Sequence, residues 1–77
     1  MKLTREEYAL FNLTSRLNIL DNDGILLVKK IINARYEVKL FLLYGFYVEV
    51  FFSIQLHTAL KAEPLWCESL VNMFYLK

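Results

Sequence analysis

Tyr36-Glu-Val-Lys-Leu-Phe-Leu-Leu-Tyr-Gly45-Phe-Tyr-Val-Glu-Val-Phe-Phe-Ser-Ile54 holds seven of the chain's twelve aromatic residues together with Val38, Val48, Val50 and Ile54. Such side chains suit a pleated surface, and the run predicts a β-hairpin turning at Gly45. Its register matters, because a slip of one residue sends every side chain to the other face. A three-residue loop, Leu43-Tyr44-Gly45, places glycine at a left-handed position where it has no Cβ to clash. Leu42 then faces Phe46, Leu40 faces Val48, Val38 faces Val50 and Tyr36 faces Phe52, which makes one apolar face. On the other face Phe41 meets Tyr47, Lys39 meets Glu49 and Glu37 meets Phe51. Opposite charges so placed contribute about 0.2–1 kcal/mol. A two-residue loop, Tyr44-Gly45, mixes charged and apolar residues on both faces, so the three-residue loop is the expectation.

Working outward, Thr4 and Glu7 form a capping box, with Leu3 and Tyr8 as its hydrophobic staple, for a short first helix ending near Phe11. Asn12 is a suitable N-cap for a second helix, in which Leu13, Leu17 and Leu20 make one apolar stripe. A continuous helix over 5–21 is the alternative, but Asn12, Thr14 and Ser15 favour a break. Asp21-Asn22-Asp23-Gly24 ends the second helix, with Gly24 as a left-handed cap. In Ile25–Ile32 the spacing of Ile25, Val28 and Ile32 would also suit a helix face, but four β-branched residues in eight and the glycine boundary favour a strand, turning at Asn33-Ala34 into the hairpin. Residues 55–62 alternate as a fourth strand would. Glu63-Pro64 reads as the start of a last helix, since proline suits the first helical position. Leu65, Glu68 and Ser69 follow, and Leu70, Val71 and Phe74, with Trp66, supply its apolar contacts. The expectation is one α+β domain over residues 1–77: short N-terminal helices, a three- or four-stranded antiparallel meander and a C-terminal helix.

At 77 residues, 57% hydrophobic and net charge +1, the chain exceeds the roughly 45–50% apolar content of ordinary domains. It buries only about 60–65% of its unfolded surface. The apolar surplus points to association. A near-neutral balance offers no general pull on nucleic acid or lipid. The lone Cys67 excludes an intrachain disulfide, and the acidic start Thr4-Arg5-Glu6-Glu7 does not resemble a signal peptide, so a cytoplasmic protein is expected. Residues 40–60 are long enough for one bilayer crossing. A carboxylate near the middle, Glu49, costs about 2.5–3.5 kcal/mol there, however, and Gln55 and His57 add to it.

No constellation carries recognisable chemistry. His57 has only Cys67 as a soft companion, too few for a metal, and reads as a surface or hydrogen-bonded histidine. Cys67 reads as a small buried hydrophobe, the other possibility being a thiol activated in the first turn of the last helix. Glu37 and Glu49 share a face in this register, but Glu49 faces Lys39, so a solvated ion pair is expected rather than an acid/base pair. No catalytic residue, metal or cofactor is expected. The candidate interaction face is Phe41, Tyr47 and Phe51 with Lys39 and Glu49, an apolar patch that calls for a cover. A homodimer through that face or an edge strand, or another protein, is the expected partner. The alternatives are single-stranded nucleic acid stacked on the three rings, with Lys29, Lys30, Arg35 and Lys39 on phosphates, and a small membrane-associated protein.

Thr4, Glu6, Glu7 and Tyr8, then Leu20, Gly24 and Leu27, then the strand Phe46-Tyr-Val-Glu-Val-Phe51 together resemble a family of short uncharacterised bacterial proteins of the Bacteroidota type. The resemblance implies a helix-flanked sheet and supplies no activity. It covers most of the chain and departs after Phe52, where Ser53-Ile54-Gln55-Leu56 stands in place of a polar turn.

Overall fold

The computed structural model describes residues 2–67. In chain order these form α1 (Arg5–Ala9), α2 (Leu13–Asp23), β1 (Ile25–Ile32), β2 (Tyr36–Leu43), β3 (Phe46–Ser53) and β4 (Thr58–Pro64). The strands make one antiparallel sheet in the order β1-β2-β3-β4, a simple meander.

The expected capping box is present. Thr4 Oγ1 accepts from the Glu7 amide at 3.1 Å, and Glu7 Oε1 accepts from the Thr4 amide at 2.9 Å. Asn12 Oδ1 accepts from the Ser15 amide at 2.9 Å and starts α2. The helical break therefore falls where two successive N-caps place it. Gly24 corrects one expectation. Its φ of −78° and ψ of 149° are extended, not left-handed. Its glycine identity answers a close approach instead, since a Cβ there would meet the Leu20 carbonyl oxygen at 2.8 Å.

The central hairpin also differs from the expected register. Its loop is the two-residue Tyr44-Gly45, with φ of 49° and 89°. This is a type I′ geometry, whose twist matches that of the strands it joins. Leu43 pairs with Phe46, Phe41 with Val48, Lys39 with Val50 and Glu37 with Phe52; on the alternate positions Leu42 pairs with Tyr47, Leu40 with Glu49 and Val38 with Phe51. Polarity on a single face was the wrong criterion, because this sheet buries residues on both. Val48 and Val50 are buried on one face, and Val38 and Leu40 on the other. When both faces are covered, alternation no longer fixes register and the turn does.

Tyr8, Leu20, Leu43, Phe46, Val48, Val50 and Ala62 form one buried cluster, joined at its margin by Leu13, Leu17 and Phe41. Both helices therefore lie on the face that carries Phe41, Leu43, Phe46, Val48 and Val50. The Tyr8 and Phe46 rings meet in a tilted arrangement with centroids 5.8 Å apart, a geometry that aromatic pairs favour.

The fourth strand, expected over 55–62, runs over Thr58–Pro64. The turn before it lacks glycine. Ser53 is buried and its hydroxyl accepts from the Leu56 amide at 3.1 Å, while His57 takes the left-handed position at φ 53°. Glu63 and Pro64 close β4 instead of starting a helix, and residues 65–67 are not helical. The remainder of the expected C-terminal helix lies outside the described residues.

Candidate interaction surface

The residues expected to form one aromatic face are divided between two. Phe41 and Lys39 point to the helix side, while Tyr47, Glu49 and Phe51 point to the other, because odd positions of β2 share a face with even positions of β3. Phe41 is half-buried against the helix-side core. Phe51 is half-buried, with the Lys61 ammonium over its ring at 4.7 Å. Lys39 does not face Glu49. It pairs along its own strand with Glu37 at 3.5 Å and lies over the Phe52 ring at 5.7 Å. A single Phe41/Tyr47/Phe51 patch is therefore not assembled.

What the fold presents instead is two contrasting sheet edges. The β4 edge is sealed from the helix side. Arg16 Nη1 donates to the Ala62 carbonyl at 3.2 Å and forms an ion pair with Glu63 Oε1 at 3.2 Å. Its Nη2 donates to the Ala9 carbonyl at the end of α1 at 2.7 Å. Arg5 Nη1 donates to the Leu65 carbonyl at 2.8 Å, and its guanidinium lies 5.1 Å from the Trp66 ring centroid. A bulge opposite Phe51 and Phe52 interrupts the ladder, and Pro64 removes an amide. These are the usual means of blunting an edge strand. Burial raises the Tyr8 hydroxyl well above its ordinary pKa, against the opposing pull of Arg16, so this corner is held by a neutral phenol that donates to the Arg16 carbonyl at 3.4 Å.

Among the described residues the β1 edge has no comparable cover. Its inner side pairs with β2, and no described element lies beyond it. Ile25 is 58% exposed, Leu26 47%, Leu27 41%, Ile31 64% and Ile32 42%. Pairing with β2 sets Leu26, Lys29 and Ile31 on the helix side and Ile25, Val28, Lys30 and Ile32 on the other. The apolar side chains therefore flank the open backbone above and below. Leu27 is the extra residue of a bulge between Leu26 and Val28, which leaves Val28–Ile32 as the regular part of the edge. An apolar run without alternation usually marks a strand buried on both faces. Here the same pattern sits at the free end of a meander. The signal that could have exposed it is positional: among the described residues only helices precede β1.

The other features carry less. A cleft of about 210 Å³ opens between α2 and the sheet, lined by Leu17, Leu20, Phe41, Val50, Phe52 and Ala59 with Asp21 and Lys39 at its polar margin. It is smaller than the roughly 300–1,000 Å³ of ordinary ligand sites. His57 is exposed in its turn, and Cys67 is exposed rather than a buried hydrophobe, with no helix start beside it among the described residues. Among the described residues no three His, Cys, Asp or Glu side chains gather as metal ligands, and no helix is long and apolar enough to cross a membrane. Residues 40–60, long enough for a crossing, belong to three strands and two turns.

No family model, no curated protein and no solved structure matches the chain.

Proposed function

We propose that this protein is a non-catalytic association module that works through its β1 edge, where a strand supplied by another chain extends the sheet. The observation that carries this reading is the exposure of five large apolar side chains on one eight-residue edge strand. An added strand would satisfy the open backbone groups of β1, and its side chains would cover Leu26 and Ile31 on one face and Ile25 and Ile32 on the other. Strand addition uses these two contributions together, main-chain bonds for affinity and side-chain pockets for selectivity. The opposite edge supports the assignment, since two arginines, a bulge and a proline already occupy it. Stacking of single-stranded nucleic acid on Phe41, Tyr47 and Phe51 has less support, because the register separates the first ring from the other two.

Replacing Leu26, Ile31 and Ile32 together by threonine tests the reading. Threonine keeps strand propensity and removes apolar area. The variant is expected to retain its circular dichroism spectrum and to lose association, followed by light scattering for the protein alone and by titration with strand-forming peptides. Association that survives these three changes would assign the contact to another surface.

A further inference from the structure

We infer that the strand received by β1 is not a second β1 but a segment of different sequence, apolar on both faces and carrying a carboxylate opposite Lys29. This rests on the strand-addition reading above and names its partner class. The argument starts from charge. β1 contains two lysines and no acidic residue. Lys29 is exposed on the helix-side face, between Leu26 and Ile31. Its cross-strand neighbour on β2 is another cation, Lys39, whose ammonium already serves Glu37 at 3.5 Å. No ion pair to Lys29 is formed among the described residues. Arg35, in the turn that follows, is also exposed. The open edge therefore has apolar rims and a cationic centre.

A second copy fits this edge poorly in every central register. An antiparallel two-fold pair that keeps the helices of both copies on one side opposes each residue on the axis to its own counterpart. An axis at Lys29 sets that lysine against its own copy, and directly opposed like charges destabilise a sheet; an axis at Lys30 sets Lys29 against Ile31 of the second copy and leaves the Lys29 charge unanswered. An axis at Val28 runs the pair into the Leu27 bulge. An axis at Ile31 runs it into the Asn33-Ala34 turn, where both residues have left-handed φ of 54° and 57°. Lysines and bulges on edges are the means by which sheets refuse copies of themselves. The same lysine selects a partner strand that brings the opposite charge, so exclusion and recognition share one side chain.

The test is a fluorescence titration of the full chain with three short acetylated, amidated peptides of valine and threonine that differ only at the central residue: glutamate, glutamine or lysine. The glutamate peptide is expected to bind about five- to tenfold tighter than the lysine peptide at low salt. That ratio should shrink as salt rises, because the pair is solvent-exposed. Lys29→Glu should reverse the order, and the threonine variant should bind none of the three. Equal binding of all three peptides, unchanged by Lys29→Glu, would overturn the acidic-partner inference and leave strand addition standing. A concentration-dependent dimer of the free protein, abolished in the threonine variant, would likewise overturn it in favour of a second copy. If neither peptide binding nor a β1-dependent dimer is observed, both the inference and the reading beneath it fall.

Discussion

The two edges of this sheet show opposite solutions to one physical problem. An edge strand offers unpaired amides and carbonyls to any chain that can form a strand. At β4 the Ala62 carbonyl, and the Leu65 carbonyl just beyond the strand, are taken up within the fold by guanidinium groups from α2 and α1. The principal helix contacts fall on β4 and β2 rather than on β1. Apolar side chains left exposed at the open edge are the ground on which the association reading proposed above rests. A sealed edge contributes to stability, whereas an open edge should contribute to binding.

Arg16→Met should have the largest effect. It removes two charge-assisted bonds to carbonyls and one ion pair while keeping much of the side-chain volume, for a loss of about 2–4 kcal/mol in urea unfolding. It should also make the protein prone to pair through β4, seen as slow aggregation. A loss below about 0.5 kcal/mol would mean that β4 is not sealed by this residue. Tyr8→Phe, beside the same arginine, should cost about 0.5–1 kcal/mol at neutral pH, since its hydroxyl bond is long. Its signature is the pH dependence. The Tyr8 pKa is raised by burial in the folded chain, so the folded state holds its proton after the unfolded chain has released it. The Tyr8 contribution is thus intact below about pH 10 and falls away as pH rises beyond that value. Thermal unfolding followed across the alkaline range should show the decline in the parent and a flatter profile in Tyr8→Phe. Tyr44, raised by its hydrogen bond to Asp23, acts in the same direction and remains in both.

The β1 side should respond weakly. Ala34→Gly relieves a left-handed alanine in the β1–β2 turn, φ 57°, and should stabilise by about 0.5–1 kcal/mol in the same urea assay. Ile31→Thr, on the open edge, should change stability by no more than about 0.5 kcal/mol. A larger loss there would make Ile31 part of the fold's own packing and weaken the contrast between the edges.

The elements were largely legible in the sequence. Thr4 with Glu7 and Asn12 with Ser15 fixed two helix starts by local hydrogen bonding, which needs no tertiary context. Four β-branched residues after Gly24 located β1. The hairpin register was misread because polarity was expected on one face, and burial on both faces removes that clue. Tyr44, a bulky residue at φ 49°, gave no turn signal of the kind that Asn-Gly would have given. Pro64 misled in a different way, since proline fits both a helix start and the end of an edge strand. The candidate surface was the least legible part. Phe41, Tyr47 and Phe51 stand out in the sequence as aromatics, while nothing in the composition of Ile25–Ile32 tells an edge strand from a central one. Only strand order, a tertiary fact, puts that strand at an edge.

Residue-resolved amide hydrogen exchange, with and without the glutamate peptide at saturation, tests the central claim most directly. Amides of β1 that point away from β2 should exchange quickly in the free protein and slow markedly in the complex, alternating along Val28–Ile32, while β4 amides stay unchanged. Protection that appears along Thr58–Pro64, or on neither edge, would contradict the assignment of β1 as the associating strand.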